Sequence, residues 1–223
     1  MSKQSEQVMR GLIKVWGEFS SSLNKVPVID KLNRGKFRLE DYRELLLNQR
    51  QQVVEGSCWI ARAASSITQE YAGHRSTFMK HAVTEHMDYR MLEKNFVSVG
   101  GTMEDITGGE KNIGSEALSA YMFHRATQPN PFDLLGGMFI IEGLGQKKSG
   151  EWGRSIQKQL SLKDDQVSFL LYHAANDDDH MAEFEQTLES GILDIPGMGE
   201  KIVKTAKTVG RLYRLQLEEL GNC

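Results

Sequence analysis

The chain is poor in the residues that staple or interrupt a fold. Two cysteines, Cys58 and Cys223, among 223 residues exclude a disulfide framework and a four-cysteine zinc site. Four prolines, at 27, 129, 131 and 196, leave two long stretches with no helix breaker of that kind. No apolar run approaches the ~20 residues of a membrane-spanning helix, the longest being 138–141. Neither sign of charge dominates. The 27 Lys and Arg stand against 30 Asp and Glu for a net charge of -3, so nucleic acid and an anionic membrane are not expected partners. Residues 1–7 are polar rather than signal-like, and the expectation is a soluble, cytoplasmic chain. Its length and 39% hydrophobic content are enough for a single domain, 1–223, whose core encloses a cavity.

What is abundant is helical periodicity. Val8, Leu12, Val15, Trp16 and Phe19 recur at spacings of three and four, and residues 39–64 and 69–98 continue the pattern. Ser115 is placed to cap a helix to Thr127, after which Pro129 and Pro131 make a corner before a helix over about 132–160. Asp164 or Asp165 opens a helix to Ser190 that Gly191 stops, and a last helix spans about 197–220. The expectation is an all-α bundle of seven or eight helices. Five glycines make the 100–114 loop the candidate mobile segment, an ordinary surface loop being the simpler reading.

The sharpest chemical signal is His173, Asp177 and His180. Steps of four and seven residues return within about 40° on a helix, so these side chains stack on one face in metal-ligand order. The competing reading is a solvated acidic stripe in which Asp177 orients two surface histidines. His81, Glu85 and Asp88 repeat the spacing on a second helix, a weak motif alone that gains weight because a metal site in a bundle draws ligands from facing helices. Glu142 lies in the most apolar stretch, 134–144, where a carboxylate is costly without a positive partner. Glu85, Asp88, Glu142, His173, Asp177 and His180, with His81 as alternate, form an oxygen-rich set without thiolate. Such a set suits two iron or manganese ions that keep open positions better than it suits structural zinc.

These motifs resemble the haem-oxygenase-like di-iron oxidases and oxygenases over roughly residues 40–190. Glu85, Glu142, His173, Asp177 and His180 match that family's ligand pattern residue by residue. Asp88 departs from it, standing where the commonest variant has histidine, which puts the second metal in question. The resemblance implies a haem-oxygenase-like helical bundle, two ferrous ions per chain and a homodimer. It also implies dioxygen and an external electron donor, used to oxidise a small carboxylate-bearing molecule such as an amino acid or fatty acid. The reactions in view are oxidative cleavage, desaturation and N-oxygenation. The same fold serves a metal-free oxidase of the pyrroloquinoline-quinone-synthase type and thiaminase-like hydrolases that use a cysteine nucleophile. A further alternative is a non-catalytic binding protein with a degenerate metal site. No catalytic residue beyond the metal ligands is singled out. Cys58 reads as a buried inert thiol, Glu55 as exposed, and the methionines and phenylalanines as core.

Overall fold

The computed structural model describes residues 2–176 and 178–221, with the side chains of 176–183 outside the description. No strand occurs among the described residues. Helix α1 (Lys3–Leu23) starts where the Ser2 hydroxyl accepts from the Ser5 amide, and it buries Val8, Leu12, Val15, Phe19 and Leu23 on one stripe. Helix α2 (Pro27–Asn33) has proline at its first position. Helix α3 (Leu39–Ser66) is anchored by Asp41, which accepts from the Arg38 amide at 2.9 Å and from Lys31 Nζ at 2.5 Å. Helices α4 (Ala72–Thr84) and α5 (Tyr89–Ser98) follow, then the short α6 (Met103–Gly108).

Helix α7 (Ile113–Ala126) is capped by Asn112, whose side chain accepts from the Ser115 amide at 2.9 Å. Ser115 is therefore the recipient of the expected cap rather than its source. The Pro-x-Pro corner is tied at both ends. Asn130 Oδ1 accepts from the Thr68 amide at 2.8 Å, and buried Asp133 bonds Arg125 Nε at 2.7 Å and the Thr205 hydroxyl at 2.9 Å. Helix α8 (Leu134–Leu144) passes through a π-helical turn (Gly145–Ser149) into α9 (Gly150–Leu160). Helices α10 (Ser168–Asn176) and α11 (Asp178–Glu189) stand either side of residue 177. Gly191, at φ +93°, makes the left-handed stop the sequence predicts, and α12 (Met198–Glu218) closes the chain.

Helix α12 is the hub. It packs on α1, α7 and most extensively on α8, while α3 packs on α4, α5 and α7. The α8–α12 seam is tight because Gly136 has no side chain: a Cβ there would sit 2.0 Å from the Ile202 carbonyl oxygen. The seven or eight expected helices appear as twelve α-helical segments among the described residues. Two of the long predicted runs are interrupted, at 85–88 and 145–149, the run predicted to Ser190 passes through residue 177, which lies outside the described residues, and two short segments, α2 and α6, had no strong periodic signal. The 100–114 segment, the candidate mobile segment of the sequence, is not all loop. It folds as α6 and the cap of α7, and Gly109 lies against Leu47 of α3. No helix among the described residues is long and apolar enough to cross a membrane.

Candidate metal centre and its cavity

The first ligand row does not lie on an unbroken helix. Glu85 still donates its amide to the His81 carbonyl at 3.1 Å, but Asp88 donates to the Glu85 carbonyl and Met91 to the Asp88 carbonyl, each three residues back, at 3.4 and 3.0 Å. Winding of that kind has about three residues per turn, and it eclipses side chains three apart. The correction reaches the expected result by another geometry, since Glu85 and Asp88 now stack on the face that His81 begins.

Glu85, Asp88 and His173 each offer a ligand atom, and these atoms all lie within 4.8 Å of one another. His173 Nδ1 lies 2.9 Å from the Phe169 carbonyl oxygen, and its Nε2 lies 3.3 Å from Asp88 Oδ2. A carbonyl can only accept, so Nδ1 carries a proton and Nε2 is the nitrogen that faces the Asp88 carboxylate. Two acceptors facing each other need a proton or a metal ion between them. A backbone carbonyl fixing the tautomer is the support that metal-bound imidazoles use. His81 Nε2 and Glu142 Oε1 form a second imidazole–carboxylate pair at 3.3 Å. Burial pushes the Glu85 carboxyl above the usual range. His81 pulls it down, Asp88 and Glu142 push it up again, and His173 pulls it down. Three carboxylates gathered in poorly solvated space are the expected signature of a cation site.

Of the predicted ligands, the structure brings Glu85, Asp88 and His173 into one cluster and places Glu142 and His81 beside it. Asp177 and the His180 side chain lie outside the described residues. His86, one residue from Glu85, is exposed.

Glu85, Glu142, His81 and His173 form part of the wall of a cavity of about 1140 Å³, its mouth included. Helix α3 supplies the longest wall, from Tyr42 to Ile60, with Trp59 and, from α9, Trp152 as its indoles. Sequence reasoning missed Gln49 and Gln52 on α3 and Tyr213 on α12, which also line it. A signal was there: Gln49 and Gln52 interrupt the stripe Leu45, Gly56, Trp59 at helical spacing, polar residues in an otherwise core-facing row. Two other expectations are corrected. Cys58 is exposed rather than buried, because it projects from the outer face of α3. Glu55 is half-buried, drawn in by Lys111 Nζ at 2.6 Å and the Ser119 hydroxyl at 2.5 Å.

No protein-family model and no curated protein matches the sequence. Solved structures do match in fold. A domain of unknown function with a haem-oxygenase-like fold from Shewanella denitrificans has a TM-score of 0.87 at 20% identity, over 94% of this chain and 89% of that one. A TenA homologue from Pseudomonas syringae pv. tomato has a TM-score of 0.74 at 13% identity, covering 97% of this chain and 93% of its own. A TenA homologue from P. horikoshii has 0.73 at 15% identity, covering 99% of each. The chain therefore has the haem-oxygenase-like, all-α fold, and at these identities the likeness extends to fold alone.

Proposed function

We propose that the chain is a non-haem di-iron enzyme that uses dioxygen to oxidise a small organic substrate held in the α3–α8–α10 cavity. The observation that carries this reading is the arrangement of His173, with one nitrogen 2.9 Å from a backbone carbonyl oxygen and the other 3.3 Å from Asp88 within the Glu85 cluster. The donor set is hard and oxygen-rich with borderline nitrogens, which fits iron or manganese. Glu85, Asp88 and His173 would hold one ion, and Glu142 with His81 would serve the second. Asp177 and His180, by their sequence spacing, complete the set.

When bound, a pair of ferrous ions supplies the electrons for dioxygen reduction that amino-acid side chains cannot. The protein's own residues do the rest. The Phe169 carbonyl holds the proton on His173 Nδ1 and so keeps Nε2 available as a ligand. The apolar walls built from Leu45, Ile60, Leu92 and Phe169 exclude water from the reacting space. Asp88 keeps a negative oxygen where a histidine would place a neutral nitrogen, which would favour the higher oxidation state of an ion held there. A carboxylate on the substrate would belong at the metal end, where it can act as a further ligand. A homodimer, a cytoplasmic setting and an external electron donor complete the proposal.

The test is iron content and oxygen uptake by full-length protein purified anaerobically and loaded with ferrous iron. The expected result is two irons per chain, with Glu85→Ala and His173→Ala losing iron and oxygen uptake together. Turnover that survives chelation would replace this reading with a metal-free oxidase. An absence of both bound iron and oxygen uptake would leave a binding protein.

A further inference from the structure

The cavity contains a second polar feature that the metal chemistry does not use. Tyr213 of α12 is buried, and its hydroxyl lies 3.1 Å from Gln49 Nε2 and 3.2 Å from Gln49 Oε1. The Gln52 side chain is close enough to this hydroxyl to offset part of the effect of its burial. Gln52 Oε1 in turn accepts from Gln216 Nε2 at 2.7 Å. Gln216 is fully buried, and its own Oε1 has no hydrogen-bond partner. Of these four side chains Gln49, Gln52 and Tyr213 line the cavity and Gln216 does not, and amides and a phenol facing an otherwise apolar space are costly without a polar partner there.

The charges around the cavity sharpen the point. Among the described residues lining it there are two carboxylates, Glu85 and Glu142, and no lysine or arginine. The stretch 176–183 contains no lysine or arginine either. Away from the metal, then, nothing offers a counter-charge to an anion. Amides and hydroxyls both donate and accept, so one arrangement of heavy atoms can present a donor or an acceptor to the cavity. That versatility suits a hydroxyl, a carbonyl or an amide. A carboxylate only accepts, and here its charge would be buried unpaired.

We propose that Gln49, Gln52 and Tyr213 form a specificity site for an uncharged hydroxyl, carbonyl or amide group on a substrate whose body is otherwise apolar. As a statement about substrate this rests on the enzymatic reading above; as a statement about binding it does not need the metal. The phenol stays protonated across the working pH range, since burial pushes Tyr213 up to about 12. Burying an uncharged polar group against these partners replaces the hydrogen bonds it loses from water, and a molecule lacking that group sets only apolar surface against the amides and the phenol.

Trp59 and Trp152 line the cavity and are buried, so their fluorescence reports its occupancy. The experiment titrates full-length protein, without added metal and again after ferrous loading, with 4-phenylbutan-1-ol, 4-phenylbutanoate and butylbenzene. In unloaded protein the alcohol should bind at least about tenfold tighter than the carboxylate, and Tyr213→Phe or Gln49→Met should weaken the alcohol about tenfold while moving butylbenzene less than about twofold. Equal losses for the alcohol and the hydrocarbon would make the network merely structural and overturn the proposal. Carboxylate binding as tight as that of the alcohol would overturn it, and so would no binding of the alcohol at all. Melting curves establish that each variant is folded, and Gln49→Met preserves side-chain length if Tyr213→Phe does not fold. Failure of the enzymatic reading would show separately, as absence of bound iron, and would leave the comparison in unloaded protein unchanged.

Discussion

Replacing Gly136 by alanine tests whether the α8–α12 seam sets the position of the candidate metal centre. The added Cβ would lie 2.0 Å from the Ile202 carbonyl oxygen, 2.8 Å from the Ala206 amide nitrogen and 2.9 Å from the Ile202 carbonyl carbon. All three are backbone atoms, so no rotamer change relieves the clash. The helices must part by about 1 Å to restore even a short C–H···O contact. Overpacking of this kind costs about 3 kcal/mol at the upper end of its usual range. Alanine returns about 1 kcal/mol through its better helix propensity. The net loss is about 2 kcal/mol, which lowers the melting temperature of a chain this size by about 4–8 °C. Gly17→Ala is the matched control. A Cβ at Gly17 in α1 meets nothing within 4 Å, so the same substitution there should stabilise by up to about 1 kcal/mol. Thermal and denaturant melts of the two variants at one pH therefore give opposite signs. A Gly136→Ala protein as stable as the parent would refute the reasoning. Because Glu142 sits on the same helix, the destabilised variant should also bind ferrous iron more weakly.

Other expectations follow from single residues. Asp41 pays a desolvation cost, but its bonds to Lys31 and Arg38 outweigh it and hold the carboxyl below its usual range. The stabilisation is therefore complete above the unfolded-state value and lost as pH falls through the lower folded-state value. Asp41→Asn should be about 1 kcal/mol less stable at neutral pH, with the difference beginning to shrink only as pH falls below about 4 in denaturant melts. Asp133→Ala should cost about 3 kcal/mol by leaving the Arg125 guanidinium unpaired, and Arg125→Met in the same background should recover part of that loss. Ferrous iron at a hundred times its dissociation constant should stabilise the parent by about 2.7 kcal/mol, and an equal shift in Glu85→Ala would remove that residue from the site.

The periodic helices were legible because burial and period coincide in them. Helix α1 and helix α12 lie within two or three residues of the sequence expectation, since each buries one continuous stripe. The interruptions were not legible, because no proline or capping residue announces them. The break at 85–88 lies where Glu85 and Asp88 are drawn toward His173, a partner 85 residues from Asp88 in sequence, and periodicity carries no record of such a pull. Spacing found Glu85, Asp88 and His173 because helices stack residues three and four apart. It could not find the pairing of His81 with Glu142, which depends on how α4 meets α8. Tyr213 escaped notice for a different reason, since an aromatic residue on a core stripe looks like any other until its hydroxyl is seen against the Gln49 amide.

The π turn at 145–149 makes α8 and α9 one rod with a slipped phase. Such a turn holds one residue more than the α-helical turn it replaces, and the Ser149 hydroxyl bonds the Gly145 carbonyl within it. Upstream, the rod aims Glu142 into the cavity; downstream, it buries Trp152 and Ile156. The two halves are thus keyed separately, and the extra residue is what lets both be satisfied. Deleting any one of residues 146–148 would splice the halves into a regular helix and turn one against the other by about 100°. Either the carboxylate would leave the cavity and its partner His81 or the indole would leave the core, whereas a substitution at the same positions would do neither.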